Sequence, residues 1–558
     1  MKYDTTTLEH GSTIQCDVCI VGSGAAGVTL AGELDGSGLI TLVIEAGGAK
    51  YLARQQTALQ GEVANDSSHT TPDMYRRRML GGATSIWGGR CVPLSPIDLE
   101  VRDYVPHSGW PISWQELDRF YPAAQSYCQV GNYDYTVRTA IGKNAPPTIE
   151  GYADPDVETN DIERFSPPTD FGKVYLSKLT KSSNVRLALN TKAVRLNQSG
   201  SIVESLTAAT ANGREIRILA RHYILAMGGL ETPRLLMLSD PTRRGGLGND
   251  NGLLGRFYMC HVENTVGLLR LHANANPVVD FERSIDGVYV RRKFRLSREA
   301  LDQHRLLNTV ARLHYPLPAD PSHGNGLLSA MYIVKDVIIP EYRRKFATLE
   351  LANFEGQTRD AKFWLSHAGN VTRDAGLVAR FGVHWIRRRI LAKRKLPFVV
   401  FHSRNSAYPL DFSAEQIPAR ENAATLAESL DADGRRRIRV NWRLMPQDVD
   451  SLTRTIRLLR DSFERSGCGE LVINGERLEE QISRSTPTGG HHIGTTRMAT
   501  DPTQGVVDQN CTMHGISNLH IAGAAVFPTC GHANPTLTIV ALSVRLAEHV
   551  KRLCLLPT

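Results

Sequence analysis

Cys16-Asp17-Val18-Cys19-Ile20-Val21-Gly22-Ser23-Gly24-Ala25-Ala26-Gly27, with the small apolar run to Leu34 and then Thr41-Leu42-Val43-Ile44-Glu45, decides the fold. The first six residues read as a strand, Ala25 to Leu34 as a helix, and Thr41 to Ile44 as a second strand ending on an acid. Gly22 lets the backbone turn sharply, Gly24 lets a pyrophosphate approach the main chain, and Gly27 lets helix and strand pack closely. The helix N-terminus offers unpaired N–H groups and the positive end of its dipole to phosphates. Glu45 stands 18 residues past Gly27, where a carboxylate can take ribose hydroxyls. A glycine-rich turn alone is common. Strands, helix and acid in register make this one a dinucleotide site. A carboxylate there would repel a 2′-phosphate, so FAD or NAD fits better than NADP.

The 558 residues exceed what one core serves, so at least two domains are expected. Apolar residues at 41% and charged residues at 22% are ordinary for a globular enzyme. No run of about eighteen apolar residues suggests a membrane span. Met1 to Gln15 is polar and lacks the basic start and apolar centre of a signal peptide, so a cytoplasmic location is expected. Nine cysteines are scattered. Cys16 and Cys19 form a CxxC inside a strand, which reads as buried thiols rather than a redox pair. No metal-ligand spacing is present, so no metal is expected. The net charge of +8 invites nucleic acid or membrane, but the excess is local.

Residues 46–80 read as loop. Arg76-Arg77-Arg78-Met79-Leu80-Gly81-Gly82-Ala83-Thr84-Ser85-Ile86-Trp87-Gly88-Gly89-Arg90 then places four glycines around one tryptophan, a loop against which something flat can lie. Ser113 reads as the N-cap of an amphipathic helix from Trp114 to Tyr127, with Glu116 at the capping-box position. Strand patterns follow at Val185–Leu189, Ala193–Leu196, Ile216–Leu219 and His222–Ala226. The last meets Gly228-Gly229 and a helix from Glu231 to Leu238, a second cofactor-facing turn. Trp385 to Leu396, carrying Arg387-Arg388-Arg389 and Lys393-Arg394-Lys395, reads as a basic amphipathic helix. It suits a solvated face, or a membrane surface or docking partner. No nucleic-acid signature accompanies it. Further on come a strand at Ile438–Leu444, a long helix from Asp448 to Arg465, His491-His492-Ile493-Gly494-Thr495-Thr496-Arg497-Met498, a buried strand at Leu519–Gly523, Asn534-Pro535, and a terminal helix to about Leu553.

Five of these stretches, in order, resemble the glucose–methanol–choline (GMC) flavoprotein oxidoreductases: the N-terminal turn, Gly81–Trp87, Ala226–Arg234, His491–Met498 and Asn534-Pro535. The branch holding pyranose oxidase and the fructose and gluconate dehydrogenases looks closest. Residues 266–410 match nothing in that pattern. The resemblance implies an α/β fold, α+β overall: a Rossmann-like FAD-binding domain plus a substrate domain on an antiparallel or mixed sheet with helices. The expected division is 1–100, 180–262 and 485–558 for FAD, and 101–179 and 263–484 for substrate. The resemblance also implies a catalytic pair, His491 and Asn534. It further implies cofactor contacts at Gly22, Gly24, Ala25, Ala26, Gly27, Glu45, Ala46, Gly82, Thr84, Ser85, Trp87, Gly88, Val194, Ala226, Gly228, Gly523, Ala524, Asn534, Pro535 and Thr536. His492 has no role in the pattern, and His532 stands close enough to Asn534 to reach the same pocket. Pyranose oxidases carry a flavin-linking histidine just before the loop tryptophan. Here that position is Ile86, which has no nucleophile, so the FAD is expected to be non-covalent.

These residue types suit one reaction. Alcohol oxidation by hydride transfer to flavin N5 also requires loss of the hydroxyl proton. An imidazole with an ordinary pKa of about 6.5 can take it, and a neutral amide can orient the hydroxyl. The expectation is oxidation of a sugar, glycoside or similar polyol, with oxygen, a quinone or a redox partner as electron acceptor. Two other readings stay open: oxidation of a sterol or other lipid alcohol at a membrane surface, and a flavin electron-relay subunit docked on a partner through 385–396.

Overall fold

The computed structural model describes residues 2–65, 67–240, 245–316, 318–338, 360–392, 394–397, 403 and 405–555. Strand β1 (Thr13–Val21) sits inside a seven-stranded sheet, parallel to β2 (Thr41–Glu45) on one side and to Glu215–Leu225 on the other. Val185–Leu189 extends the sheet beyond β2 in parallel, and Leu519–Ile521 lies parallel to Glu215–Leu225. Ile202–Ala209 and Lys192–Ser199 add an antiparallel flank. Val18, Cys19, Ile20 and Val21 are all buried, as are all five residues of β2. Layers on both faces explain why these strands read as continuous apolar runs without alternation. Helix α1 (Ala25–Leu34) packs on the terminal helix Thr536–Leu555, and both join the sheet's core. Each Leu, Ile or Val buried there contributes about 1.5–3 kcal/mol.

The turn after β1 requires glycine for steric reasons. Gly22 has φ +103°, and a Cβ there would stand 2.6 Å from the Ala226 carbonyl oxygen. A Cβ on Gly27 would stand 1.9 Å from the Gly22 carbonyl oxygen. Gly27 therefore serves helix–strand packing. A Cβ on Gly24 would meet nothing within 4 Å, because that position faces open space.

A second sheet, also seven-stranded, runs Gly469–Val472, Val262–Leu271, Ala407–Ala414, Thr309–Leu313, Phe294–Leu296 and Val157–Glu158, with Thr486–Pro487 beside Val262–Leu271. Its pairings are antiparallel. Its faces differ, as the two-residue period of a strand allows. Val262 and Val266 enter a core shared with Leu452, Ile456 and Phe463 of the long helix Pro446–Ser466. Glu263, Thr265 and Gly267 line a cavity between the two sheets.

Several sequence expectations need correction. The helix expected over Trp114–Tyr127 is two helices, Trp114–Asp118 and Tyr121–Cys128. Pro122, lacking an N–H, stands in the first turn of the second, where it starts a helix and cannot continue one. Ile216–Leu219 and His222–Ala226 are one strand, Glu215–Leu225. The loop over 46–80 holds a helical turn, Ala53–Gln56, and a strand, Gly61–Val63. The segment 101–179 was assigned to the substrate side. Its Leu117, Phe120, Tyr121, Ala124 and Cys128 instead pack into the core of the first sheet. The basic helix of 385–396 is the end of a helix, Ala375–Trp385, followed by a π-helical turn, Ile386–Leu391. Lys393 and the side chain of Arg389 lie outside the described residues. Arg394 is tied down, donating to the carbonyls of Phe165 (3.1 Å) and Gln129 (2.9 Å). Leu396 is buried beside Phe165 and Tyr289.

Candidate active site

The parallel strands end along one edge, and the loops that leave them line a cavity of about 1190 Å³. Gly22–Ala26 leave β1, Ala46 leaves β2, Ala226–Gly229 leave Glu215–Leu225, and Ala522–Ala524 leave Leu519–Ile521. This edge is where doubly wound sheets bind ligands. The glycine loop supplies Gly82, Thr84, Trp87 and Gly88, and the C-terminal region supplies His491, His492, Asn534, Pro535 and Thr536. The antiparallel sheet forms the opposite wall with Glu263, His314 and Asp411, joined by Arg291 from the strand Tyr289–Arg292 of a separate four-stranded sheet.

Of the expected cofactor residues, three do not line the cavity. Gly27 packs against Gly22 instead. The Ser85 hydroxyl donates to the Gly82 carbonyl at 2.9 Å. The Val194 carbonyl accepts from Arg435 at 2.6 Å. His532 also lies away from the cavity, buried with Nε2 3.1 Å from Lys293 Nζ.

The residues present fit a dinucleotide. A Cβ on Gly24, Gly88, Gly228 or Gly523 would meet nothing within 4 Å, so four glycines border room for a ligand to come close to the main chain. Gly24 caps α1 without a side-chain bond, which leaves the first-turn N–H groups available. Glu45 Oε2 accepts from the Ser23 backbone N (3.1 Å) and hydroxyl (2.7 Å), and Oε1 from Gly47 N (2.7 Å). A carboxylate offers about four lone-pair sites, so room remains for a ribose hydroxyl. Burial pushes the Glu45 carboxyl up, against those three bonds. The volume exceeds the roughly 300–1,000 Å³ of ordinary small-molecule pockets, as a dinucleotide plus a substrate requires. Among the described residues, no group of His, Cys, Asp and Glu could hold a metal ion.

Two adjacent histidines reach the cavity, each at the end of a relay. His491 Nε2 stands 3.1 Å from Asn534 Nδ2, and His491 Nδ1 stands 2.7 Å from His261 Nδ1. His261 Nε2 lies 3.2 Å from the Cys530 carbonyl oxygen. A carbonyl only accepts, so His261 Nε2 carries a proton. Burial holds His261 below the ordinary histidine range, so the ring is neutral and its Nδ1 accepts. His491 Nδ1 is then the donor, and its Nε2 keeps a lone pair. Burial first, then the neighbouring His261 and the Arg90 cation, holds His491 well below the ordinary range. In the second relay His69 Nδ1 donates to the Thr70 carbonyl (2.5 Å), the Tyr258 hydroxyl donates to His69 Nε2 (2.8 Å), and His492 Nδ1 donates to Tyr258 (2.7 Å). His492 Nε2 has no hydrogen-bond partner among the described residues.

The sequence reading missed His261, Tyr258 and His69. An antiparallel bridge between Met259 and Ile493 sets the register that brings residue 261 opposite 491. That pairing spans 230 residues and leaves no mark in local pattern. A buried ion pair beside the charged wall was missed too. Although burial alone would raise it, the cations of Arg312 and Arg90 hold the Glu163 carboxyl down to about 2. Arg312 Nε donates to Glu163 Oε1 at 2.8 Å.

Residues 418–543 match the family model described as GMC oxidoreductase. The C-terminal part of the chain is therefore that of a GMC oxidoreductase. The 6'''-hydroxyparomomycin C oxidase of Streptomyces lividus is 24% identical to it, over 96% of this chain and 91% of that protein. The fructose dehydrogenase large subunit of Gluconobacter japonicus is 21% identical, over 96% and 98%. The solved structure of pyridoxine 4-oxidase from Mesorbium loti superposes with a TM-score of 0.52 at 17% identity, covering 96% of this chain and 99% of that one. This chain is an FAD-dependent enzyme acting on CH–OH donors, with a Rossmann-like FAD-binding part and a substrate-binding part.

Proposed function

We propose that this GMC oxidoreductase oxidises an alcohol group of a sugar, glycoside or similar polyol, with His491 as the base and Asn534 as the orienting group. The observation that carries the reading is the pair itself: a neutral imidazole whose unprotonated Nε2 accepts from the Asn534 amide at 3.1 Å, at the cavity wall. FAD, when bound against Gly22–Ala26 and Glu45, supplies the hydride acceptor. The chain's own residues do the rest. Asn534 holds the substrate hydroxyl beside His491, and Nε2 takes its proton. His261 keeps the proton of His491 on Nδ1, so that Nε2 is never the wrong tautomer; it is a positioning residue. Arg90, Glu263 and Asp411 give the facing wall donors and acceptors suited to several hydroxyls. The names of the Streptomyces and Gluconobacter relatives, an oxidase of a paromomycin and a fructose dehydrogenase, agree with a sugar-like substrate.

Ile86, exposed in the glycine loop and lining the cavity, offers no nucleophile, which supports non-covalent FAD. A second reading, docking on a membrane or partner protein through 385–396, is favoured by Ile386, Arg387, Arg388 and Leu391, all exposed. Anaerobic titration of the bound flavin with sugars, glycosides, polyols and sterols tests the first reading. Bleaching by a sugar or glycoside is expected. Bleaching by the sterols alone would replace this reading with lipid-alcohol oxidation.

A further inference from the structure

The chain's net charge is concentrated in one stretch of its sequence. Residues 326–397 carry fourteen Lys and Arg against six Asp and Glu, a surplus of eight that equals the net charge of the whole chain. The described part of this stretch comprises three helices, Gly326–Ile338, Ala361–Arg373 and Ala375–Trp385, with the turn Ile386–Leu391. Gly326–Ile338 packs against both other helices, and Leu327 and Leu328 share a small core with Tyr315, Met331 and Phe381. The outward side chains are apolar to an unusual degree. Of the nineteen large apolar residues exposed among the described residues, eight lie here, on about a tenth of the described chain. Leu365 is 70% exposed, Leu391 72%, Val383 54% and Trp364 45%.

Exposed apolar side chains mixed with cations are the surface chemistry of a helix that lies in a membrane interface. The apolar groups enter the headgroup boundary and the cations meet anionic lipid. Solvated helices do not need Leu and Trp outward, and a nucleic-acid face would use the cations without the aliphatic groups. Location agrees. The chain leaves for these helices past Pro318 and Asp320 and returns through Pro397, and all three line the cavity. Among the described residues no helix is long and apolar enough to cross a membrane. We propose that the helices Gly326–Ile338, Ala361–Arg373 and Ala375–Trp385, with the turn Ile386–Leu391, seat this enzyme on an anionic membrane surface, with the edge of its cavity beside the lipid. The proposal does not depend on which alcohol is oxidised.

The test uses flavin-loaded, full-length protein floated with vesicles of phosphatidylcholine, alone or mixed with phosphatidylglycerol. Binding to the mixed vesicles only, weakening as salt rises, is expected. The joint variant Arg380→Gln, Arg387→Gln, Arg388→Gln, Lys395→Gln should lose affinity on the order of a thousandfold, at about 1 kcal/mol per cation. Leu365→Ser with Leu391→Ser should weaken binding without changing its salt dependence. Both variants should keep their flavin and the parental rate of flavin reduction by a dissolved alcohol. No flotation, equal flotation with neutral vesicles, or full binding by the charge variant would overturn the proposal. So would salt-dependent capture of an RNA oligonucleotide without vesicle binding, or loss of flavin reduction in either variant, which would make the helices part of the catalytic structure.

Discussion

His491 and His492 are neighbours in sequence, burial holds both rings well below the ordinary histidine range, and both are held with Nδ1 as donor. Their Nε2 atoms differ. That of His491 meets the Asn534 amide at 3.1 Å, while that of His492 has no partner among the described residues. Burial and tautomer alone therefore do not assign a base. What separates the two is a second polar group placed to share one substrate hydroxyl, which His491 has and His492 lacks.

The largest expected effect is at His491. His491→Ala should slow flavin reduction by roughly 10²–10⁴-fold, the usual range for a lost general base, with FAD retained because the glycine turn and Glu45 lie elsewhere on the cavity wall. Stopped-flow reduction without oxygen checks this. His261→Leu should come next, at about 10–100-fold, the range seen when an outer-shell partner is lost. His261→Asn, which keeps an acceptor near the Nδ1 position, should recover much of the loss. Nitrogen-15 histidine spectra should show His491 as the Nδ1–H tautomer in the parent and a mixture in His261→Leu. Equal damage in the Leu and Asn variants would reduce His261 to a packing role. Asn534→Ala should cost about tenfold, one hydrogen bond's worth. Combined with His491→Ala it should add little, since both act on one hydroxyl. His492→Ala should stay within a few-fold of the parent.

The comparison is sharpened by pH. Burial disfavours the charged form of both rings, and a base acts only when neutral. The limiting rate of flavin reduction should therefore stay level as pH falls through about 6.5, the ordinary histidine value, and decline only in more acidic solution. A half-maximal point at or above 6.5 would mean that His491 is solvated as an ordinary histidine is.

Much of this was legible in the sequence, and for a physical reason. The βαβ turn is local: Gly22, Gly24, Gly27 and Glu45 lie within 24 residues and their spacing carries their geometry. His491 and Asn534 stood out only through the order of family motifs. His261, Tyr258 and His69 were invisible, because a relay is made by register between distant segments. The helix expected at 385–396 failed where apolar and basic residues alternate too densely for one face. Ile386 and Leu391 point outward while Leu396 is buried and Arg394 bonds to the body of the protein. Ile86 was readable as an absent nucleophile, and acid precipitation should release all the FAD into the supernatant. Flavin held in the pellet would show a covalent link elsewhere.

The central claim is that His491, and not His492, takes the substrate proton. Anaerobic stopped-flow reduction of the two single alanine variants, side by side at saturating alcohol, tests it most directly. The account predicts a loss of at least about a hundredfold for His491→Ala and a few-fold change for His492→Ala. A severe His492→Ala with a mild His491→Ala would contradict it and shift the base by one residue.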